Sequence, residues 1–342
     1  MERHGFRFSR SMGQNFLIDP SIPAAIAEAS GADETCGVLE IGPGIGPLTQ
    51  ELARRAGRVV SIELDRALLP VLAETVGALP NVEIIPGDAL RLDLEGLIRE
   101  KFPGLTPMVC ANLPYNITTP VLTRLVDIPA LTRLTVLIQK EAAQRFTAAQ
   151  GSPEIGAFPL QLQYRMETEL LFDVEPECFL PRPKVTSTVL RCVRRETPAV
   201  AVSDEVLFRK VLKGAFLLRR KTLSNSLSSA LPQFSKEDIQ AAIAECGLAP
   251  TVRGEALALR QFAELTEALA RRADTQVCPT EPVGDPCRGP MRTSAPRKKP
   301  GPRCGQRQAG SCARLCTRLS ARQLPEFHIP RICVLLLESR RL

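Results

Sequence analysis

Asn112-Leu113-Pro114-Tyr115 closes the apolar run 107–111 in a chain of 342 residues that has no Trp and only two Tyr. An amide, a forced turn and an aromatic ring in that order suit the activation of a weak amine. The lone pair of an exocyclic adenine amine is spread into the ring. Two acceptors that hold its hydrogens draw the nitrogen towards a tetrahedral shape and localise that pair. Asn112 Oδ1 can be one acceptor. The Leu113 carbonyl can be the other, because Pro114 disfavours the helical region for the residue before it and so sets the direction of that carbonyl. Tyr115 offers a flat face for a base, worth roughly 1–3 kcal/mol in comparable contacts. A plain proline turn with a packed Tyr would be spelled the same way, so the surrounding residues must decide.

The segment VLEIGPGIGPLTQEL (38–52) reads as strand, glycine turn, helix. Gly42 and Gly44 let the backbone pass close to a ligand. Glu63 ends the next apolar run, 21 residues after Gly42, where a carboxylate accepts from both hydroxyls of a ribose. That much fits any nucleoside-containing cofactor. A dinucleotide fingerprint is G-x-G-x-x-G with pyrophosphate at a helix N-terminus. Here the spacing is G-x-G-x-G, preceded by Glu40, a poor neighbour for pyrophosphate and a good one for a cation. Gly87-Asp88-Ala89 follows the third run, and Asp88 can accept from an adenine amine. Acidic residues ending three successive strands form one row along a sheet edge, and S-adenosyl-L-methionine is the expected cofactor. With a sulfonium as electrophile no strong base is required, in keeping with a chain whose two histidines are His4 and His328. Alignment and charge stabilisation carry such a reaction.

A base in folded RNA must leave its stack to reach this pocket. Phe179-Leu180-Pro181-Arg182-Pro183-Lys184 is expected to supply the opposite wall, with Phe179 stacking and Arg182 and Lys184 on flanking phosphates. Lys210, Lys213, Arg219, Arg220 and Lys221 would extend that face and make binding salt-sensitive. Residues 182–221 hold 11 Lys and Arg against 3 Asp and Glu.

These groups need a scaffold. Five β-like runs, 37–41, 59–63, 82–85, 108–111 and 134–138, alternate with helix-like segments such as 46–56 and 67–78. That alternation predicts a mostly parallel α/β sheet. Two further β-like runs, 161–172 and 185–193, have no helix between them and predict an antiparallel ending. From about Ser203 apolar residues recur at helical spacing. Ser235 to Asp238 reads as an N-cap and Gly247 as a C-terminal stop. The expected organisation is a catalytic domain over 1–200, a small all-α rRNA-binding domain over 201–273, and a basic tail over 274–342, rich in Cys and Pro, that lacks the apolar period of a core and is expected to be disordered.

Net charge is +7. From Asp274 onward 13 Lys and Arg face 5 Asp and Glu, a net +8, leaving 31 against 32 in residues 1–273, a net −1. Overall charge on the body therefore does not argue for nucleic acid; its clustering over 182–221 fits either a phosphate-binding face or a solvated helix face. Five of eleven Cys are scattered through the body and six (Cys278, Cys287, Cys304, Cys312, Cys316, Cys333) crowd the tail, none with CxxC spacing, so no metal site is expected. The start lacks the apolar core of a signal peptide and no run reaches membrane-span length, so a cytoplasmic protein with no membrane partner is expected.

Ser11-Met12-Gly13-Gln14-Asn15-Phe16-Leu17, Glu40-Ile41-Gly42-Pro43-Gly44, Glu63-Leu64-Asp65, Gly87-Asp88-Ala89, Asn112-Leu113-Pro114-Tyr115 and Phe179-x-Pro181-x-Pro183-x-Val185 together resemble the KsgA-type rRNA adenine dimethyltransferases, in order over roughly residues 4–272. The resemblance implies a Rossmann-like, S-adenosylmethionine-dependent methyltransferase fold with a seven-stranded sheet. It implies dimethylation at N6 of two adjacent adenosines in the 3′-terminal hairpin of 16S rRNA, a role in ribosome biogenesis, the small-subunit precursor as partner, and a monomer. It also implies that Asn15 and Leu17 cover the cofactor, that Gly42 lies under its methionine part, that Glu63 and Asp88 hold ribose and adenine, and that Asn112 lies between cofactor and target nitrogen. Two alternatives are an Erm-type 23S rRNA adenine methyltransferase and a ribosome-assembly or transcription factor without catalysis. DNA adenine methylation is disfavoured, since no sequence-reading domain is visible.

Overall fold

The computed structural model describes residues 15–277. Residues 278–342 of the tail, its cysteines among them, and residues 11–14 of the first motif lie outside them, while residues 274–277 continue the last helix past the expected boundary at 273. In chain order the elements are β1 (Phe16–Leu17), α1 (Ser21–Ser30), β2 (Cys36–Ile41), α2 (Pro47–Ala53), β3 (Arg58–Glu63), α3 (Leu69–Thr75), β4 (Val82–Pro86), α4 (Leu94–Lys101), β5 (Thr106–Asn112), α5 (Thr118–Val126), β6 (Arg133–Gln139), α6 (Lys140–Phe146), α7 (Ala157–Arg165), β7 (Met166–Val174), β8 (Phe179–Leu180), β9 (Ser187–Arg194), α8 (Glu205–Ala215), α9 (Leu223–Ala230), α10 (Lys236–Glu245) and α11 (Leu259–Val277).

One seven-stranded sheet has the order β4-β3-β2-β5-β6-β9-β7. The first five are parallel, and β9 and β7 are antiparallel additions. Parallel strands joined by helices are covered on both faces, so their sequences run apolar without a break. In β5, Val109 and Ala111 join the core on one face and Met108 and Cys110 the core on the other. Because β2 to β5 run the same way, Ile41, Glu63, Pro86 and Asn112 end at one edge of the sheet, and the loops that follow them meet there.

The run 161–172 departs from its expected extended form. Residues to Arg165 belong to α7, and only Met166 onward is strand. The alternation of apolar and polar residues in this run has a different cause. Leu160 and Tyr164 pack into the core of the helical layer, while Leu162 packs against the sheet. A helix buried between two cores shows apolar residues on two faces, and the pattern imitates a strand.

The helical layer gathers α8 to α11 around Phe208, Leu227, Ile239 and Phe262. Helices α8, α9 and α10 start on side-chain caps: Asp204, Thr222 and Ser235 accept from the main-chain N–H of Leu207, Asn225 and Asp238. Gly247 has φ of 67°, the left-handed turn that stops α10. Among the described residues no helix is long and apolar enough to cross a membrane.

Candidate active site

The glycine turn after β2 and the turn after β5 close on each other. Gly42 has φ of 72°, and a Cβ built there would lie 3.6 Å from Pro114 Cδ. Gly44 has φ of 63°, and a Cβ there would stand 3.0 Å from the Phe16 ring. L side chains avoid both conformations, so glycine is needed for the turn as well as for clearance. Between these turns lies a cavity of about 210 Å³, lined by Asn15, Leu17, Glu40, Gly42, Gly44, Glu63, Asp88, Ala89 and Asn112 to Tyr115. All the expected cofactor residues thus border one space. Among the described residues its wall holds three carboxylates and no Lys, Arg or His.

Each carboxylate is held differently. Glu63 accepts from the Asp65 N–H at 2.7 Å and the Gly44 N–H at 3.3 Å. Burial pushes its pKa up and these N–H groups oppose the shift. Asp88 Oδ1 accepts from the Leu90 N–H at 2.8 Å, and Arg91 Nε lies 3.4 Å from Oδ2. Glu40 is 1% exposed, and its Oε2 accepts from Thr49 Oγ1 at 2.7 Å and Ser61 Oγ at 2.6 Å. Burial pushes its pKa up to about 7 against the pull of both hydroxyls, and nearby Glu63 adds to the rise. The anion expected beside the glycines is therefore a buried carboxyl that ties β2 to α2 and β3, and it titrates near neutrality.

Asn112 ends β5, and its Nδ2 donates to the Asn15 carbonyl at 3.1 Å. A carbonyl only accepts, so the carboxamide nitrogen faces Asn15 and Oδ1 points away from it. Leu113 is buried and its N–H donates to the Leu137 carbonyl at 3.1 Å. Tyr115 is half-buried, and its hydroxyl lies 2.7 Å from Ser187 Oγ at the start of β9. Burial raises its pKa.

Phe179 requires a correction. It is 2% exposed, pairs with Leu17 in the two-stranded ribbon formed by β1 and β8, and packs with Leu17, Ile26 and Val174. It borders no part of the cavity, so in this conformation it offers no face to a base. Burial of a large ring against the adjoining strand won over exposure, and the sequence motif did not reveal which way the ring would turn.

The basic residues divide. Lys184, Lys210, Lys213, Arg220 and Lys221 are exposed and pair with no carboxylate among the described residues. Arg182 is exposed and pairs with Glu177. Arg219 donates to the Pro153 and Ile155 carbonyls, at 2.9 and 3.3 Å, and holds the loop before α7. Much of the charge counted over 182–221 is likewise engaged within the fold: Arg194 donates to the Val126, Ile128 and Leu131 carbonyls, Arg191 pairs with Glu169, Arg195 with Glu167 and Arg209 with Asp127. Sequence reasoning did not single out Phe16, Leu64 or Ile117, which also line the cavity. Leu64 is 55% exposed directly after Glu63, and an exposed apolar residue behind a strand-end acid was the available signal.

The model of the family described as "Ribosomal RNA adenine dimethylase" matches residues 5–271. The chain belongs to that family. Ribosomal RNA small subunit methyltransferase A of Shouchella clausii is 45% identical over 280 residues, which cover 80% of this chain and 95% of that protein. The protein of the same name from Alkaliphilus oremlandii is 42% identical over 274 residues, 80% of this chain and 95% of that one. Among solved structures, a dimethyladenosine transferase from Plasmodium falciparum is 23% identical with a TM-score of 0.63, covering 75% of this chain and 98% of its own. The 23S rRNA methyltransferase ErmE is 27% identical with a TM-score of 0.57, covering 75% of this chain and 100% of its own. The Rossmann-like methyltransferase fold expected from the sequence is thus the fold of this rRNA adenine dimethylase.

Proposed function

We propose that this dimethylase transfers methyl groups from S-adenosyl-L-methionine to N6 of two adjacent adenosines in the 3′-terminal hairpin of 16S rRNA, as a cytoplasmic monomer acting in small-subunit biogenesis. The observation that carries this reading is a cavity that, among the described residues, has three carboxylates and no basic side chain and is lined on one side by Asn112 to Tyr115. A pyrophosphate would find no counter-charge among the described residues and three carboxylates against it. A cationic donor with a ribose and an adenine would find an acceptor for each: Glu63 for the ribose hydroxyls, Asp88 for the adenine amine, Glu40 near the charged end. When bound, the donor supplies an electrophilic methyl on a sulfonium. Asn112 Oδ1, freed by the bond from Nδ2 to Asn15, accepts one hydrogen of the target amine, and the Leu113 carbonyl accepts the other. Tyr115 carries the base. Asn15 and Leu17 cover the cofactor from the N-terminal side. Lys184, Lys210, Lys213, Arg220 and Lys221 meet rRNA phosphates.

The small-subunit substrate is favoured over 23S rRNA by identity of 42–45% to small-subunit methyltransferases against 27% to ErmE. Purified small subunits lacking the modification, incubated with the chain and labelled donor, should yield dimethyladenosine by mass spectrometry of 16S rRNA. Labelling of naked 23S rRNA alone would overturn the assignment. No labelling of either, with tight binding to small subunits, would favour a non-catalytic assembly factor.

A further inference from the structure

We propose that Arg124 is a positioning residue that sets the Asp88 turn against the Asn112 turn, an inference that rests on the cavity being the cofactor site. Arg124 lies on α5, the helix that begins three residues after Tyr115. Its Nη1 donates to the Ala89 carbonyl and its Nη2 to the Leu92 carbonyl, both at 2.7 Å. It is half-buried and pairs with no carboxylate among the described residues. Both terminal nitrogens of the planar fork donate to main-chain oxygens, so its work is directional.

On the side that faces α5 the Asp88 turn is held by Arg124. Its inward groups are satisfied within itself: the Asp88 carbonyl accepts from the N–H of Arg91 and Leu92 at 2.9 and 3.0 Å, and Asp88 Oδ1 accepts from Leu90. Those bonds shape the turn, and the Gly87 N–H, which donates to the Glu63 carbonyl at 2.8 Å, ties its start to the end of β3, leaving its far side, Ala89 to Leu92, to be held against α5. Arg124 takes the carbonyls of Ala89 and Leu92 and joins them to α5. One helix then carries the acceptor turn at its start and holds the adenine-side turn through its fork. The distance between the adenine end of the donor and the target nitrogen is set through this helix as well as through the sheet edge. Sequence gives no sign of this, because Arg124 alone reads as a solvated helix position.

The test is calorimetric binding of S-adenosylhomocysteine and of its inosine analogue, in which a carbonyl replaces the amine that Asp88 would accept from. Arg124→Met keeps the stem and removes the donors. It should weaken S-adenosylhomocysteine about tenfold while changing the inosine analogue less than twofold, so that the preference for the amine collapses. It should also raise KM for the donor with little change in kcat. Equal weakening of both ligands, or none, would overturn the inference. If the Met variant does not fold, Arg124→Lys, which can reach one carbonyl, serves instead: a several-fold loss of preference supports the role and an unchanged preference refutes it. A wild-type chain that binds neither ligand would remove the cofactor reading and this inference with it.

Discussion

Asn112 Nδ2 donates to the main-chain carbonyl of Asn15, 97 residues earlier in the chain, at 3.1 Å. The bond joins the N-terminal cover of the cavity to the residue that would hold the target amine. It also orients the carboxamide, leaving its oxygen free to accept. Asn112→Ala should lower single-turnover methyl transfer about 10²–10³-fold, in the range found when one preorganised transition-state contact is removed, with RNA binding changed only a few-fold. Asn112→Asp should be as damaging, since it sets a carboxylate oxygen against the Asn15 carbonyl. Filter binding beside methyl incorporation separates the two effects, and a parallel loss of both would mean the loop is structural.

The buried Glu40 makes both stability and cofactor choice depend on pH. Its folded pKa of about 7 lies above the ordinary 4.5. Between those values the unfolded chain has released this proton and the folded chain has kept it. The folded state therefore loses stability as pH rises through that window, by about 3 kcal/mol in the limit. Glu40→Gln should remove this slope and melt higher than wild type at pH 8. A sulfonium nearby favours the ionised carboxylate. The preference for S-adenosylmethionine over neutral S-adenosylhomocysteine should rise from pH 6 to 8 in wild type and stay flat in the Gln variant.

Gly44 combines a left-handed backbone with a ring 3.0 Å from where a Cβ would stand. Gly44→Ala should cost about 1–2 kcal/mol in backbone strain alone. Because the Gly44 N–H also donates to Glu63, cofactor affinity measured by calorimetry should fall about tenfold or more. At Gly42 the nearest atom lies at 3.6 Å, so Gly42→Ala should be the milder change.

Tyr115 and Phe179 should separate cleanly. Tyr115→Phe keeps the ring and leaves the buried Ser187 hydroxyl without its partner, lowering stability by about 1–3 kcal/mol with modest effect on transfer. Tyr115→Ala should raise KM for the RNA substrate. Phe179→Ala should act through the core, at about 3–5 kcal/mol, visible as a lower denaturation midpoint. A Phe179→Ala protein of unchanged stability with lost activity would return Phe179 to the stacking role.

The exposed cations give a salt signature. Alanine at Lys210, Lys213, Arg220 or Lys221 should each weaken rRNA binding and reduce the slope of log affinity against log salt by about 1. Arg219→Ala should instead free the 153–155 carbonyls and lower thermal stability with a smaller change in that slope.

The sequence by itself determined the parallel sheet and the row of groups along its edge. Both follow from local facts: strands buried on two faces must be apolar throughout, and a turn with positive φ must be glycine. Glu63, Asp88 and Asn112 were legible for the same reason, since each ends or follows such a strand. The caps at Ser235 and Gly247 were local as well. What only the tertiary structure decided depends on neighbours far along the chain. Two cores on either side of α7 turned a strand-like pattern into a helix. The ribbon of β1 and β8 turned Phe179 inward. Thr49 and Ser61 made Glu40 a buried carboxyl near its titration point, and Arg219 and Arg194 went to carbonyls that no charge count reveals. Local spelling sets backbone conformation, whereas the direction and charge of a side chain follow from what packs against it.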